Sequence, residues 1–323
     1  MTVSRKLSIV CPAYEEEEVL PRFHAELCAV VAGLQREYEV EIVYVDDGSR
    51  DGTLAYLRSL AASDPRVRYL SLSRNFGHQA ALTAGLEHAT GDIVVSLDSD
   101  LQHPPDLIPA LLEKWKDGYD VVLTVREDDP RLSSFKRLTS RAFYHAMRYV
   151  SDTEVRVAAS DFRLMTRKAV DALLKLRESH RFLRGMVNWL GFPTATVPFR
   201  PATRGGGVSK YTVRRMANFA VDALLSFSKV PLRLAGFAGL GFVVLGALFG
   251  VVAALQTVFT EAGALGGATV LTAVFVVGGC TLCALGVVGE YVGRIYDQVK
   301  ARPLYVLKES SFAEAARRPP LAA

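Results

Sequence analysis

The amino-acid sequence predicts an α/β protein with a Rossmann-like, mainly parallel sheet, followed by an amphipathic helix and a two-helix transmembrane hairpin. Over the first 125 residues, short apolar runs alternate with segments of helical periodicity. Further on, residues 234–258 and 268–289 form stretches of 25 and 22 residues without a charge. As helices they are about 37 and 33 Å long, enough to cross a hydrocarbon core of ~30 Å. These observations argue against a purely water-soluble protein.

The alternation of strands and helices predicts a sheet that is covered by helices on both faces. The predicted strands are residues 7–11, 41–46, 67–71, 93–98 and 121–125, and the predicted helices are residues 19–35, 53–62, 79–89, 107–116, 167–176 and 181–190. Residues 131–150 are predicted to be a loop that leads into a helix. Ligands of such sheets bind beyond the carboxyl ends of the strands, so the polar residues after each strand are the candidates for a site.

The charge distribution predicts how the chain is oriented in a membrane. The chain has 38 basic and 34 acidic residues, a net charge of +4, which excludes a strongly basic nucleic-acid-binding protein. Residues 200–233 alone carry +6 and residues 294–308 carry +3, whereas the connection 260–267 carries a single Glu261. The positive-inside rule places both basic flanks in the cytoplasm. They would suit anionic head groups or a phosphorylated lipid.

The sequence therefore divides into four parts: a cytoplasmic α/β domain (1–205), a juxtamembrane amphipathic helix region (206–232), two transmembrane helices (233–293) and a cytoplasmic tail (294–323). The amphipathic segment 211–229 is expected to lie in the membrane interface, with packing against the first domain as the alternative. Residues after about 308 are expected to be loose. The expected location is the inner or plasma membrane, as a multi-pass protein.

Acidic residues follow three of the predicted strands. The candidate residues at or just after the end of each strand are Pro12, Tyr14 and Glu16 for the first strand, Asp46 and Asp47 for the second, and Asp98, Asp100 and Gln102 for the fourth. If the strands are parallel, all three groups lie on one edge of the sheet. Crowded carboxylates repel one another unless a cation compensates, and a hard divalent ion bound to phosphate oxygens meets that need. Asp100 and Gln102 share a face of the extended chain and could reach the same ion.

At these residues the sequence resembles the family 2 glycosyltransferases of the GT-A fold, and within them the polyprenyl-phosphate glycosyltransferase branch. The resemblance covers residues 7–306. The further segments that carry it are 75–78 (NFGH), 160–163 (SDFR), 204–211 with its Arg204 and Ser-Lys-Tyr, 227–232 (FSKVPL), 289–296 (GEYVGRIY) and 302–305 (RPLY).

The resemblance implies a role for each candidate residue. Pro12, Tyr14, Glu16, Asp46 and Asp98 would bind the nucleotide sugar. Asp98, Asp100 and Gln102 would hold Mg²⁺ or Mn²⁺. Asp100, Asp161, Arg204 and Lys210 would be catalytic, with Asp161 facing the sugar or the attacking phosphate. Arg126, Lys136, Arg137 and Ser140 would bind the acceptor phosphate. The six histidines are expected to be structural or exposed to solvent, and none is assigned to the metal.

The resemblance also implies the reaction: inverting transfer of a sugar from a nucleotide-diphosphate sugar, with UDP-glucose preferred, to a polyprenyl phosphate, with undecaprenyl phosphate preferred. A processive polysaccharide synthase is one alternative, although the chain lacks that group's Gln-x-x-Arg-Trp motif and has too few predicted spans. A membrane-tethered scaffold that binds a nucleotide sugar without turnover is the other. A homo-oligomer is expected to be possible, with a tetramer as the implied form.

Overall fold

The computed structural model of the chain describes residues 5–126, 159–179, 181–199, 230–259 and 267–312. The chain divides into two units. The first contains Met1–Arg148, Thr153–Tyr211 and Pro303–Ala323, and the second contains Tyr149–Asp152 and Thr212–Arg302. The short C-terminal part of the first unit therefore follows the second unit in the sequence.

The first unit contains eight strands and six α-helices among the described residues. In chain order these are β1 (Arg5–Ala13), α1 (Leu20–Leu34), β2 (Tyr38–Asp46), α2 (Thr53–Ser63), β3 (Val67–Leu72), α3 (His78–His88), β4 (Ile93–Ser96), α4 (Ile108–Lys116), β5 (Val121–Arg126), β6 (Ala159–Thr166), α5 (Arg167–Lys175), α6 (Leu183–Trp189), β7 (Thr194–Phe199) and β8 (Leu307–Ser310).

The eight strands form one sheet in the order β7-β5-β6-β4-β1-β2-β3-β8. Strand β1 is parallel to β2 and β4, β2 is parallel to β3, and β5 is parallel to β7. Strand β6 is antiparallel to both of its neighbours, and β8 is antiparallel to β3. The predicted α/β class and mainly parallel sheet are confirmed.

Both faces of the sheet are buried because successive side chains of a strand point to opposite sides. Ile9 and Ile42 pack with the apolar residues of α1, α2 and α4, whereas Val10 and Val43 pack with those of α3, α5 and α6. The central strands therefore contain unbroken apolar runs, such as residues 9–11 of β1 and 42–45 of β2, which are typical of a parallel sheet between two helical layers.

The structure differs from the sequence prediction at several strands. Strand β4 ends at Ser96, two residues earlier than predicted, and the chain then bends instead of continuing as an extended strand through Asp98. Strands β6, β7 and β8 were not predicted. Strand β8 lies in the segment assigned to the tail, and Arg58 on α2 holds its Glu309 through two hydrogen bonds of 2.8 and 2.6 Å.

The second unit contains two long helices, α7 (Val230–Phe259) and α8 (Gly267–Val299). Among the described residues, one segment is long and apolar enough to span a membrane: Val276–Val299, with a mean hydropathy of 1.6 and no buried part. The apolar part of α7, Ala235–Leu248, is shorter. Large apolar side chains on both helices are exposed, with Phe237 and Leu282 each at 69 %. The predicted amphipathic helix 211–229 lies outside the described residues.

Candidate active site

The carboxyl ends of β1, β2, β4 and β5 lie along one edge of the sheet, which we call the rim. Because β6 is antiparallel to β4, its first residues lie at the rim as well, and the Ser96 hydroxyl donates a 2.6 Å hydrogen bond to the Asp161 carbonyl. The rim thus brings together the segments that carry Asp98, Asp100 and Asp161, and Arg126 stands exposed at the end of β5.

The bend after β4 presents Asp98 and Asp100 at the rim. The buried Ser99 between them donates a 2.8 Å hydrogen bond to the Pro12 carbonyl and so ties the bend to the end of β1. The Asp100 Oδ1 atom accepts a 3.0 Å hydrogen bond from the backbone N–H of Gln102. Leu101 has a positive φ of 61°, an unusual conformation for a leucine, while its side chain packs against the core.

Asp98, Asp100 and Gln102 are all partly exposed and contribute carboxylate and amide oxygens. Oxygen donors of this kind are the ligands that Mg²⁺ and Mn²⁺ prefer. The residues present at the bend therefore fit a divalent cation.

Asp161 is buried and accepts hydrogen bonds from two arginines. Arg163, itself buried, donates a short hydrogen bond to Oδ1, and Arg184 donates to Oδ2 at 2.7 Å and to Oδ1 at 3.2 Å. Burial raises the pKa of Asp161, but the hydrogen bond with His78 and the charges of Arg163 and Arg184 outweigh burial and hold the pKa well below its usual range. The carboxylate is therefore ionised at neutral pH.

Two histidines lie beside these carboxylates. The His78 Nε2 atom is 3.5 Å from both Asp98 Oδ1 and Asp161 Oδ2, and the His103 Nδ1 atom is 3.3 Å from Asp98 Oδ2. Burial lowers the pKa of His78. The hydrogen bond with Asp161 and the charge of Asp98 raise this pKa by more than burial lowers it, so the pKa of His78 lies above its usual value. The histidines were expected to be structural or exposed to solvent. The structure places these two beside the rim carboxylates, with the His78 side chain 40 % exposed and the His103 ring packed 5.9 Å from the ring of Phe162.

Four of the residues expected to bind the nucleotide lie at the ends of β1 and β2 or on the loop after β1: Pro12, Tyr14, Glu16 and Asp46. Tyr14 is 39 % exposed, whereas Pro12 is buried and Glu16 is half-buried. The two loops are joined by hydrogen bonds of 3.0 Å from the Glu15 N–H to Ser49 Oγ and from the Glu16 N–H to Thr53 Oγ1. These contacts fix the backbone on which Tyr14 and Glu16 are presented.

The two aspartates at the end of β2, Asp46 in the strand and Asp47 directly after it, are buried and hold the surrounding loops. Asp46 accepts hydrogen bonds from the Ser49 N–H (2.9 Å) and the Ser71 hydroxyl (2.8 Å), and none of its surface is exposed. Asp47 accepts hydrogen bonds from the backbone N–H groups of Phe76 and Gly77, and burial raises its pKa. Asp46 was expected to bind the nucleotide, and this role stays a prediction.

The remaining predicted site residues, Lys136, Arg137, Ser140, Arg204 and Lys210, lie outside the described residues. Arg163, Arg184, His78 and Gln79 were not predicted as site residues. Gln79 donates to Asp161 Oδ2 at 3.5 Å and accepts a 3.1 Å hydrogen bond from the Leu183 N–H, so it joins α3 to α6 at this carboxylate. His78 stands in the Asn-Phe-Gly-His segment, so the sequence did contain a signal for it.

A mainly parallel α/β sheet with an acidic rim defines a GT-A-like protein. Residues 8–174 match the domain described as "Glycosyl transferase family 2". The chain belongs to this family.

Relatives match over almost the whole chain. The "Uncharacterized glycosyltransferase YkcC" of Bacillus subtilis is 39 % identical over 303 residues, which is 94 % of this chain and 93 % of that protein. The "SfII prophage-derived bactoprenol glucosyl transferase" of Shigella flexneri is 39 % identical over 307 residues, 94 % of this chain and 98 % of that protein. The "Prophage bactoprenol glucosyl transferase homolog" of Escherichia coli is 37 % identical over 94 % of this chain and 98 % of that protein.

Among solved structures, glucosyl-3-phosphoglycerate synthase from Mycobacterium tuberculosis, in complex with Mn²⁺, uridine diphosphate and phosphoglyceric acid, is similar with a TM-score of 0.47 and 23 % identity. The similarity covers 69 % of this chain and 78 % of that one.

Proposed function

We propose that this protein transfers one sugar from a nucleotide-diphosphate sugar, UDP-glucose, to a polyprenyl phosphate, undecaprenyl phosphate, at the cytoplasmic face of the membrane. The observation that carries the proposal is the match to proteins named bactoprenol glucosyl transferase over 94 % of this chain. That match includes both the sheet with its acidic rim and the long apolar helices.

The acceptor phosphate itself supplies the nucleophile. A phosphate oxygen attacks the anomeric carbon, the bond from this carbon to the diphosphate breaks, and the configuration inverts. The second pKa of a phosphate monoester is about 6, so the acceptor is mostly ionised at pH 7 and needs no strong general base. The protein has to hold two anionic substrates together and stabilise the charge of the leaving nucleotide.

Asp161 suits a positioning role in this reaction better than a role as base. Its pKa is held well below the usual range, and both of its oxygens accept hydrogen bonds from arginine. A carboxylate in this state takes up no proton at neutral pH. We infer that Asp161 orients the donor sugar, either directly or by holding Arg184 in place beside it.

Asp98, Asp100 and Gln102 would hold Mg²⁺ or Mn²⁺, which when bound neutralises the diphosphate of the donor. Tyr14 and Glu16 would contact the nucleotide, and the buried Asp46 would support the loop beneath it. Arg126 stands exposed at the rim, where it would contact phosphate. Lys136, Arg137, Ser140, Arg204 and Lys210 stay predictions for the same task.

The membrane arrangement is part of the proposal. Helix α8 contains one candidate span. We propose that α7 is a second span, that the connection between the two lies outside, and that the catalytic unit is cytoplasmic, because the basic residues flank both helices on one side. Such anchoring raises the local concentration of a lipid acceptor. A tetramer stays a prediction.

A transfer assay tests the proposal. The full-length chain in membranes is incubated with undecaprenyl phosphate and Mn²⁺, and radiolabelled UDP-glucose, UDP-galactose, UDP-N-acetylglucosamine and GDP-mannose are supplied in turn. The expected result is label in the organic phase with UDP-glucose. Label in the organic phase from another donor would change only the identity of the transferred sugar and leave the rest of the proposal intact. Labelled polymer in the aqueous phase would indicate a polysaccharide synthase. Donor binding without transfer of any sugar would point to a scaffold.

A further inference from the structure

A second group of ligand-bearing side chains lies on α1 and at the end of α2. His24 and Cys28 are four residues apart on α1 and therefore share one face of the helix. Asp64 is the residue that directly follows α2. The imidazole, thiol and carboxylate ligand atoms of these residues all lie within 4.8 Å of one another, and all three residues are half-buried. None of them has a part in the proposed sugar transfer.

The spacing of two of these atoms matches that of a tetrahedral metal site. The Cys28 Sγ atom is 3.4 Å from His24 Nε2. Zinc bonds of 2.0–2.1 Å to nitrogen and 2.3 Å to sulfur, at a tetrahedral angle, separate the two donor atoms by about 3.6 Å. A metal ion can therefore bind both atoms with little movement of the helix.

The orientation of the histidine ring is fixed by a buried tyrosine. The hydroxyl of Tyr44, which is fully buried on β2, lies 3.0 Å from His24 Nδ1. When Nδ1–H donates to this oxygen, the lone pair of Nε2 is directed at the Cys28 sulfur. Histidines that bind metals usually have their second ring nitrogen held in this way. In this tautomer, in which the Tyr44 oxygen accepts from Nδ1–H, Nε2 is the nitrogen of His24 that can bind a metal ion.

A positive charge already occupies the acidic end of the group. The Arg66 Nε atom donates to Asp64 Oδ1 at 2.9 Å, and its Nη2 atom donates to Oδ2 at 2.5 Å. A metal ion that binds Asp64 has to displace the Arg66 guanidinium or share the carboxylate with it. Arg66 is 29 % exposed and sits on a surface turn, so it can move away. Arg66 therefore competes with a metal ion for the Asp64 carboxylate.

We propose that His24, Cys28 and Asp64 form a binding site for Zn²⁺, with water as the fourth ligand and with Arg66 as the competing cation. The combination of one nitrogen, one sulfur and one oxygen donor favours zinc over the hard ions that suit the rim. The bound ion would join α1 to the turn after α2. This proposal is independent of the proposed sugar transfer.

Cobalt(II) is the probe, because a thiolate bound to Co²⁺ gives a near-ultraviolet charge-transfer band that oxygen ligands do not give. Reduced full-length protein in detergent is titrated with Co²⁺ and then with Zn²⁺. The substitutions Asp98→Asn and Asp100→Asn remove Co²⁺ binding at the rim. The substitutions Cys280→Ser and Cys283→Ser remove the thiol ligands of α8. The expected result is a charge-transfer band that saturates at one Co²⁺ per chain, that persists in the variant with all four substitutions, and that disappears when Zn²⁺ is added.

Substitutions at the site then separate a metal site from a mere hydrogen-bond group. Cys28→Ser should remove the band, and His24→Gln should weaken Co²⁺ binding at least about tenfold. Arg66→Gln should tighten binding about tenfold, a gain that misfolding cannot produce. The proposal is overturned if neither the unsubstituted site nor Arg66→Gln gives the band, or if the band survives Cys28→Ser.

Discussion

Arg184 holds Asp161 by two contacts, from Nη2 to Oδ2 at 2.7 Å and from Nε to Oδ1 at 3.2 Å. The two residues are 23 positions apart in the sequence and reach each other because α6 begins close to the first residues of β6. Together with Arg163 on the same carboxylate, Arg184 fixes the orientation of the Asp161 side chain, which we propose has a positioning role in the transfer.

The first prediction concerns the two-point contact. Arg184→Lys keeps the charge but cannot form both hydrogen bonds, because lysine lacks the planar fork of a guanidinium. We expect kcat/KM for the donor to fall about 100-fold, since displacing a positioned group by about 1 Å can cost that much. Steady-state kinetics measure it. Arg22→Lys, on an exposed arginine of α1, is the control and should change nothing. Equal activity of both variants would show that the two-point contact of Arg184 with Asp161 has no role in the reaction.

The second prediction concerns the acidic limb of the pH profile. If the acceptor phosphate provides the nucleophile, kcat/KM for the acceptor should fall below about pH 6, where the phosphate gains a proton. The pKa of Asp161 lies far below this range. Asp161→Asn should therefore lower the rate while the limb stays at the same pH. A limb that disappears in this variant would make Asp161 the base.

The third prediction concerns stability in acid. The pKa of Asp161 is lower in the folded protein than in the unfolded chain, where it is about 3.9. Its contribution to the free energy of unfolding is thus complete above about pH 5 and is lost as the pH falls through the folded pKa. Unfolding should show wild type more stable than Asp161→Asn at pH 7, with a gap that narrows below about pH 4. A gap that stays constant to pH 3 would contradict this.

The fourth prediction concerns the turn after β2. Gly48 has a φ of +70°, and an added Cβ would lie 2.4 Å from the Arg74 carbonyl carbon. Gly118 also has a positive φ, of +97°, but nothing lies within 4 Å of its added Cβ. Gly118→Ala should cost about 1 kcal/mol for the backbone conformation alone, and Gly48→Ala about 1–3 kcal/mol more for the clash. Denaturant unfolding of both variants measures the difference, and equal losses would show that the loop relaxes freely.

The first half of the fold was predictable because its signals are local. Apolar runs such as the one ending at Cys11 are separated by helical periodicity, and the acidic residues follow the strands directly, so parallel topology places them on one edge. Strands β6 and β8 could not be predicted in the same way. Each pairs antiparallel with a strand far away in the sequence, and no turn signal joins the partners.

The site shows the same limit. Asp98 and Asp100 could be found from their position after an apolar strand. The convergence of His78, Gln79 and Arg184 on Asp161 could not be found, because it depends on how α3 and α6 pack against the sheet. Asp46 could be placed at the end of a strand from the sequence, but its burial and its hydrogen bonds with Ser49 and Ser71 could not, because they depend on how the neighbouring loops pack.

The central claim is that the acidic rim transfers a single sugar to a polyprenyl phosphate, and the mass of the lipid product tests it most directly. Purified full-length protein in detergent is incubated with UDP-glucose, undecaprenyl phosphate and Mn²⁺, with chelator and with the Asp100→Asn variant as controls. The account predicts that the lipid gains the mass of one hexose and that both controls leave it unchanged. A lipid that stays unmodified with UDP-glucose and with the other three nucleotide sugars of the transfer assay, or equal product from Asp100→Asn, would contradict it.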